Sequence, residues 1–111
     1  MVTRKLDRSE WQSYFDSVSR HLPANEAEIE VLGLAAGDQV QASWRALIGF
    51  AYDPHGDEIE VAVDGLDHSI RHPTSVFVEE NRGRLQSLRV VDGEGQQHVI
   101  QLKRPVGRPG S

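Results

Sequence analysis

A chain of 111 residues with a formal net charge of -5 is the size of one ordinary domain, long enough to bury a core without covalent cross-links. It has no cysteine, which excludes disulfides, thiolate metal ligands and a cysteine nucleophile and favours the reducing cytoplasm. We expect neither a secretory signal nor a membrane span, because no run of about 18 apolar residues occurs.

The first predicted element is an amphipathic helix over residues 8–21. Its apolar residues recur at the helical period and form one stripe. Asp7 and Glu10 have the spacing of a capping box at its start, and Pro23 ends it. We expect the stripe to be buried against a sheet rather than to bind a partner. It consists of Trp11, Tyr14, Phe15, Val18 and Leu22.

From residue 27 onward, apolar residues alternate with polar ones, which is the period of half-buried strands. We predict six or seven short strands with no helix between them, and therefore mostly antiparallel pairing. The fold class is α+β, with the helix packed on a curled sheet or a small open barrel. The domain should span residues 1–105, followed by a disordered tail at 106–111. The predicted strands cover residues 27–32, 39–52, 58–64, 66–72, 76–78, 85–91 and 98–102.

The segment over residues 39–52 is long for one strand, so we expect a bend or bulge near Gly49. Its alternation places Trp44 on the same face as Phe50, in the core. If a bulge turns Trp44 outward, its ring becomes an interface anchor for a second copy or a partner protein.

Four stretches of the chain resemble a small bacterial family catalogued as domain of unknown function 5335. The most specific stretch is Asp67-His68-Ser69-Ile70-Arg71-His72-Pro73, and the resemblance covers residues 3–105. It implies a single bacterial domain and brings no activity, ligand or catalytic residue with it. The other three stretches are residues 11–16, 47–54 and 87–92.

The candidate site lies at residues 68–72, where His68, Arg71 and His72 fall close together in sequence. One interpretation is an anion-binding or ligand-binding site. The other is structural, with His68 packed beside Ile70 and Arg71 paired with a carboxylate on a neighbouring strand. In an extended strand the Cα atoms of the two histidines are about 13 Å apart, too far to share one metal ion. A bend, or a contribution from His98, would be needed, so we predict no metal and no cofactor.

No catalytic motif is present, neither Gly-x-Ser-x-Gly nor a phosphate-binding loop, and we predict no catalytic residue. Residues 103–109 partly resemble an AT-hook, but Val106 replaces its central arginine and the acidic body opposes DNA. We predict a non-enzymatic bacterial accessory or protein-interaction module, with a protein partner or a homodimer. The alternatives are a small hydrolase or ligand-binding protein using residues 68–72, and weak DNA binding through the tail.

Overall fold

The computed structural model of the chain describes residues 2–20, 22–33 and 37–107. A short 3₁₀ turn, Arg8–Glu10, leads into helix α1, Trp11–Arg20, and the remaining elements of these residues are strands. None of the described helices is long and apolar enough to cross a membrane. The strands are β1 (Val2–Lys5), β2 (Glu26–Gly33), β3 (Gly37–Asp53), β4 (Glu58–Val63), β5 (Leu66–Arg71), β6 (Ser75–Asn81), β7 (Arg84–Val91) and β8 (Gln97–Val106).

The strands form one antiparallel sheet in the order β1-β6-β7-β8-β2-β3-β4-β5, with β1 and β5 at its two open edges. The predicted α+β architecture, one helix on a curled antiparallel sheet, is confirmed, and the sheet is not closed into a barrel. The described residues form one strand more than the seven that the sequence predicts. The additional strand is β1, whose four residues are all exposed and show no alternation. It extends the sheet by pairing along β6, where Lys5 lies opposite Phe77.

Strand β3 joins the two parts of the sheet. It is 17 residues long, and it pairs with β2 up to Ala46 and with β4 from Leu47 onward. Its register against β4 shifts between Leu47 and Gly49, which confirms the predicted bulge near Gly49. Two further shifts lie against β2. One falls between the pairs Ala27–Arg45 and Ile29–Ala42, and the other directly follows the pair Ile29–Ala42. Each shift inserts residues on β3 that have no counterpart on the neighbouring strand.

These bulges overturn the prediction that Trp44 lies in the core. Trp44 is 38% exposed and has a φ of 47°, in the left-handed region, whereas Ala42 and Phe50 remain buried. Because a bulge shifts the alternation by one residue, the predicted single apolar face divides into two. Val40 and Ile48, which an unbroken alternation would also place on that face, are exposed as well.

Helix α1 packs on the second half of β3, and its predicted stripe is confirmed. Trp11, Phe15 and Val18 are buried, while Tyr14 and Leu22 pack against the core from its margin. The ring of Phe15 stacks on Phe50 at 6.0 Å. At the start of the helix, the Glu10 carboxylate accepts a hydrogen bond from the Asp7 amide at 3.1 Å, as a capping box requires. Residue 21, the predicted last residue of the helix, lies outside the described residues.

The helix is also tied to the backbone of β3. The Ser19 hydroxyl donates to the Phe50 carbonyl at 2.8 Å, and the Phe50 amide donates to Ser19 Oγ at 2.9 Å. This reciprocal pair occupies the side of β3 that β2 has left. It satisfies backbone groups that would otherwise be buried without partners.

Asn25 connects three strands at the point where β2 begins. Its Nδ2 donates to the Arg104 carbonyl at 2.7 Å, and its Oδ1 accepts from the amides of Glu26 and Arg104. The Asn25 carbonyl accepts from the Leu47 amide of β3 at 2.9 Å. Strand β8 continues from Arg104 to a buried Val106, and residues 108–111 of the predicted tail lie outside the described residues.

We expect Asn25→Ala to lower the free energy of unfolding by about 2–3 kcal/mol, because it leaves backbone groups of Glu26 and Arg104 without partners. Urea unfolding followed by circular dichroism measures this loss. Asn81→Ala, at the end of β6, is the matched control and should stay within about 0.5 kcal/mol of wild type. Equal stability of the two variants would contradict the role given to Asn25.

Candidate functional site

The structure separates the three residues predicted as a site. His68 is half-buried in the middle of β5, next to the buried Ile70 along the core side of the strand. Arg71 is exposed and lies opposite Glu58 of β4, without an ion pair within the described residues. His72 follows the strand at a φ of 51°, with 73% of its side chain exposed. His68 and His72 therefore do not converge on one ligand.

His68 instead lies within hydrogen-bonding distance of His98, which in turn contacts Asp92. Both partners belong to the β7–β8 hairpin. His68 Nε2 lies 2.9 Å from His98 Nδ1, and His98 Nε2 lies 2.8 Å from Asp92 Oδ2. The other Asp92 oxygen accepts hydrogen bonds from the amides of Glu94 and Gln96. The side chains of His98 and Asp92 are only 7% and 12% exposed. This row of polar groups, the histidine relay, runs from the edge strand β5 to the turn after β7.

The carboxylate at one end determines how the histidine relay is protonated. Burial raises the pKa of Asp92, but hydrogen bonds from His98 and from the Glu94 and Gln96 amides outweigh it and lower the net pKa. An ionised Asp92 accepts a hydrogen bond from the Nε2–H group of His98. In the tautomer that carries its proton on Nε2, His98 Nδ1 is the acceptor for the Nε2–H group of His68. Burial, followed by repulsion from His98, lowers the pKa of His68 to about 4, so this ring is neutral at pH 7.

A second cluster at the same end of the molecule is centred on Asp57, in the turn between β3 and β4. Its Oδ1 accepts a hydrogen bond from the Tyr52 hydroxyl at 2.9 Å and another from Arg8 at 3.0 Å. His72 Nδ1 lies 3.5 Å from its Oδ2. The Tyr52 hydrogen bond, followed by those from Arg8 and His72, lowers the pKa of Asp57 despite some desolvation. Arg8 also donates to the Pro73 carbonyl at 2.7 Å, so this cluster fastens the chain before the helix onto the hairpin ends.

The histidine relay has no hydroxyl nucleophile beside it in the described residues. In the described part of the chain no hydroxyl lies within hydrogen-bonding distance of His68, and Ser69 is exposed on the opposite side of β5. A general base without a nucleophile beside it supports no acyl transfer through a covalent intermediate. Across residues 2–20, 22–33 and 37–107, no group of three histidine or carboxylate side chains could hold a metal ion.

Sequence reasoning considered His98 only as an additional metal ligand and did not identify Asp92, Asp57, Arg8 or Tyr52. Asp92 lies in the turn between β7 and β8, where its carboxylate also accepts hydrogen bonds from the turn amides. His98 and its partner Asp92 are six residues apart along the chain, but His68 and its partner His98 are 30 residues apart. A contact between residues that far apart produces no local pattern in the sequence.

The basic C-terminal segment is partly committed to contacts within the fold. Lys103 forms an ion pair with Glu26 at 3.0 Å, and its ammonium lies 5.7 Å from the centre of the Trp44 ring. Residues 108 and 109 of the segment that resembles an AT-hook lie outside the described part of the chain. Lys103 is therefore not free to insert into a DNA groove without giving up both partners.

The fold defines a class of small α+β proteins in which one N-terminal helix packs on an open antiparallel sheet. The chain belongs to the family described as "Family of unknown function (DUF5335)", whose model matches residues 2–110. It is similar to an uncharacterised protein of Aquifex aeolicus (strain VF5), with 36% identity over 110 residues, which cover 98% of this chain and 99% of that protein. No solved structure matches the chain. The resemblance stated from the sequence is thereby confirmed.

The lowered pKa of His68 predicts a pH-dependent stability. The unfolded chain binds a proton at the ordinary pKa of 6.5, and the folded one only near pH 4, so stability should fall as pH drops between these values. We expect a loss of about 1 kcal/mol, because the ring keeps some contact with solvent. Urea midpoints from pH 7.5 to 5 measure it.

His68→Gln should flatten this profile, whereas His55→Gln, in an exposed turn, should leave it unchanged. Asp57 and Asp92, whose pKa values are lowered, affect stability only near or below pH 4, outside this window. Parallel profiles for wild type and His68→Gln would contradict the assignment.

Proposed function

We propose that this chain is a non-enzymatic bacterial protein-interaction module of the cytoplasm. The surface that we infer for association is the outer face and free edge of residues 37–45 of β3 together with Ile48, here called the β3 surface. The occupant that we propose for it is a second copy of the chain. The observation that carries the proposal is the exposure of Trp44 between two other exposed apolar residues.

Exposed apolar side chains are concentrated on β3. Of the four large hydrophobic residues that are exposed in the described part of the chain, three lie on this strand: Val40 at 57%, Trp44 at 38% and Ile48 at 63%. They are spaced four residues apart and point away from the core that contains Ala42, Leu47 and Phe50. Large apolar side chains that are exposed together on one strand favour an interaction site there.

The same part of β3 has hydrogen-bonding groups available. Strand β4 pairs with β3 only from Leu47 onward, and β2 occupies the other side of residues 37–46. The Ala46 carbonyl accepts a hydrogen bond from the Asp64 amide at 2.8 Å, so the edge of the sheet is the side of residues 37–45 that faces away from β2. Free edges accept a further strand through main-chain hydrogen bonds, which is a common mode of protein association.

The conformation of Trp44 also favours an interface role. A φ of 47° is costly for a bulky side chain by about 1–2 kcal/mol, and residues held in this region cluster at functional sites. Lys103, which is fixed by Glu26, holds the exposed ring from one side. Tryptophan is also among the residue types most enriched as energetic anchors of protein interfaces.

A second copy fits this surface because the surface is self-complementary. Residues 40 and 44 are both exposed, at equal distances in sequence from Ala42. An antiparallel approach of two copies about a two-fold axis near Ala42 therefore brings Val40 of each copy towards Trp44 of the other.

The test is the mass of the wild-type chain in sedimentation velocity over a wide concentration range, compared with that of Trp44→Asn. We expect a concentration-dependent dimer for wild type. Trp44→Asn should weaken it by about thirtyfold or more, since anchor tryptophans contribute about 2 kcal/mol or more. Because asparagine tolerates a positive φ, the variant should be at least as stable as wild type on heating.

Val2→Asn is the matched control, since Val2 is also an exposed apolar residue and lies on the edge strand β1. It should dimerise like wild type. A wild-type chain that stays monomeric at every concentration would contradict the second copy as occupant. So would a dimer that Trp44→Asn and Val2→Asn weaken equally.

A further inference from the structure

A second surface, separate from the histidine relay, consists of two adjoining hollows at the end of helix α1. One, of about 460 Å³, is lined by Asn81, Arg82, Arg84 and Pro105. The other, of about 430 Å³, shares Arg84 and Pro105 with it and extends to Arg20. We call the two together the arginine groove. It lies between the last turn of the helix, the β6–β7 turn and the end of β8.

The arginine groove is positively charged, whereas the protein as a whole is negatively charged. Of the described residues that line its two hollows, three are arginines and none is acidic, although the chain has 17 acidic and 12 basic residues. Within the described residues no ion pair joins these three guanidinium groups to a carboxylate, not even to Asp16, which precedes Arg20 by one helical turn. In contrast, Arg4, Arg8 and Lys103 each have a carboxylate oxygen at 3.0 Å.

Local backbone geometry supports a functional role for Arg82. Arg82 and Gly83 form the two-residue turn between β6 and β7, with φ values of 54° and 78°. Such turns favour asparagine or glycine at the first position, because a longer side chain is strained there. An arginine at this position therefore brings a guanidinium group to the groove at a conformational cost.

We propose that the arginine groove binds a small molecule that carries more than one phosphate group. Guanidinium groups match phosphate oxygens in geometry and charge, often through two parallel hydrogen bonds. Both hollows are open to solvent, so the guanidinium groups that line them are accessible to a dissolved ligand. The net charge of -5 repels extended polyanions, so a compact phosphorylated ligand is favoured over a nucleic acid. This inference does not depend on association through the β3 surface.

Isothermal titration calorimetry of the full chain with inorganic pyrophosphate and with ADP tests the proposal. We expect saturable binding of both probes, weakened by about tenfold or more in Arg84→Gln, because this side chain lines both hollows. Arg82→Asn should also weaken binding, and asparagine suits the turn, so this variant keeps the fold. Thermal unfolding of each variant verifies that the fold is intact.

Arg71→Gln is the matched control, because Arg71 is also exposed and lies on β5, outside the groove. It should bind both probes like wild type. The proposal is overturned if neither probe binds saturably, or if Arg71→Gln weakens binding as much as Arg84→Gln. It is also overturned if sulfate binds as tightly as pyrophosphate, which would indicate generic anion attraction. Salt-sensitive binding of a single-stranded oligonucleotide, without binding of the small probes, would assign the surface to nucleic acid instead.

Discussion

The structure depends on the hydrogen bonding of one strand, β3, which serves two different neighbours. Buried backbone amides and carbonyls need partners, and β3 finds them in β2 along its first half and in β4 along its second. Where the neighbour changes, the Ser19 hydroxyl bonds both the amide and the carbonyl of Phe50. The helix, the two parts of the sheet and the core are therefore connected at this changeover.

The same changeover explains the apolar surface that we assign to association. A strand that serves two neighbours in a curled sheet needs local irregularities, and β3 has them against both β2 and β4. Each one reverses the alternation of side chains. Phe50 and Tyr52 remain in the core with helix α1, while Val40 and Ile48 are exposed. The proposed interaction surface is thus a consequence of how the core is built.

Two clusters of charged and polar side chains are satisfied within the described part of the protein, whereas three arginines that share one groove are not. In the histidine relay and around Asp57, the main charged groups have protein partners at hydrogen-bonding distance, so these clusters hold strands together. The arginine groove presents guanidinium groups without such partners in the described residues. Ligand binding is best sought where donors remain unpaired, which is why we place it at the groove and not at His68.

The sequence by itself determined the helix, the family and most strands, because Trp11, Phe15 and Val18 follow the helical period and Ile59, Val61 and Val63 follow the period of a strand. It also indicated the bulge near Gly49. Only the tertiary structure decided that Trp44 faces outward, that His68 meets His98 and not His72, and that Arg20, Arg82 and Arg84 share a groove. The physical reason is that periodicity reports local burial, whereas bulge positions and contacts between distant strands depend on how the sheet curls.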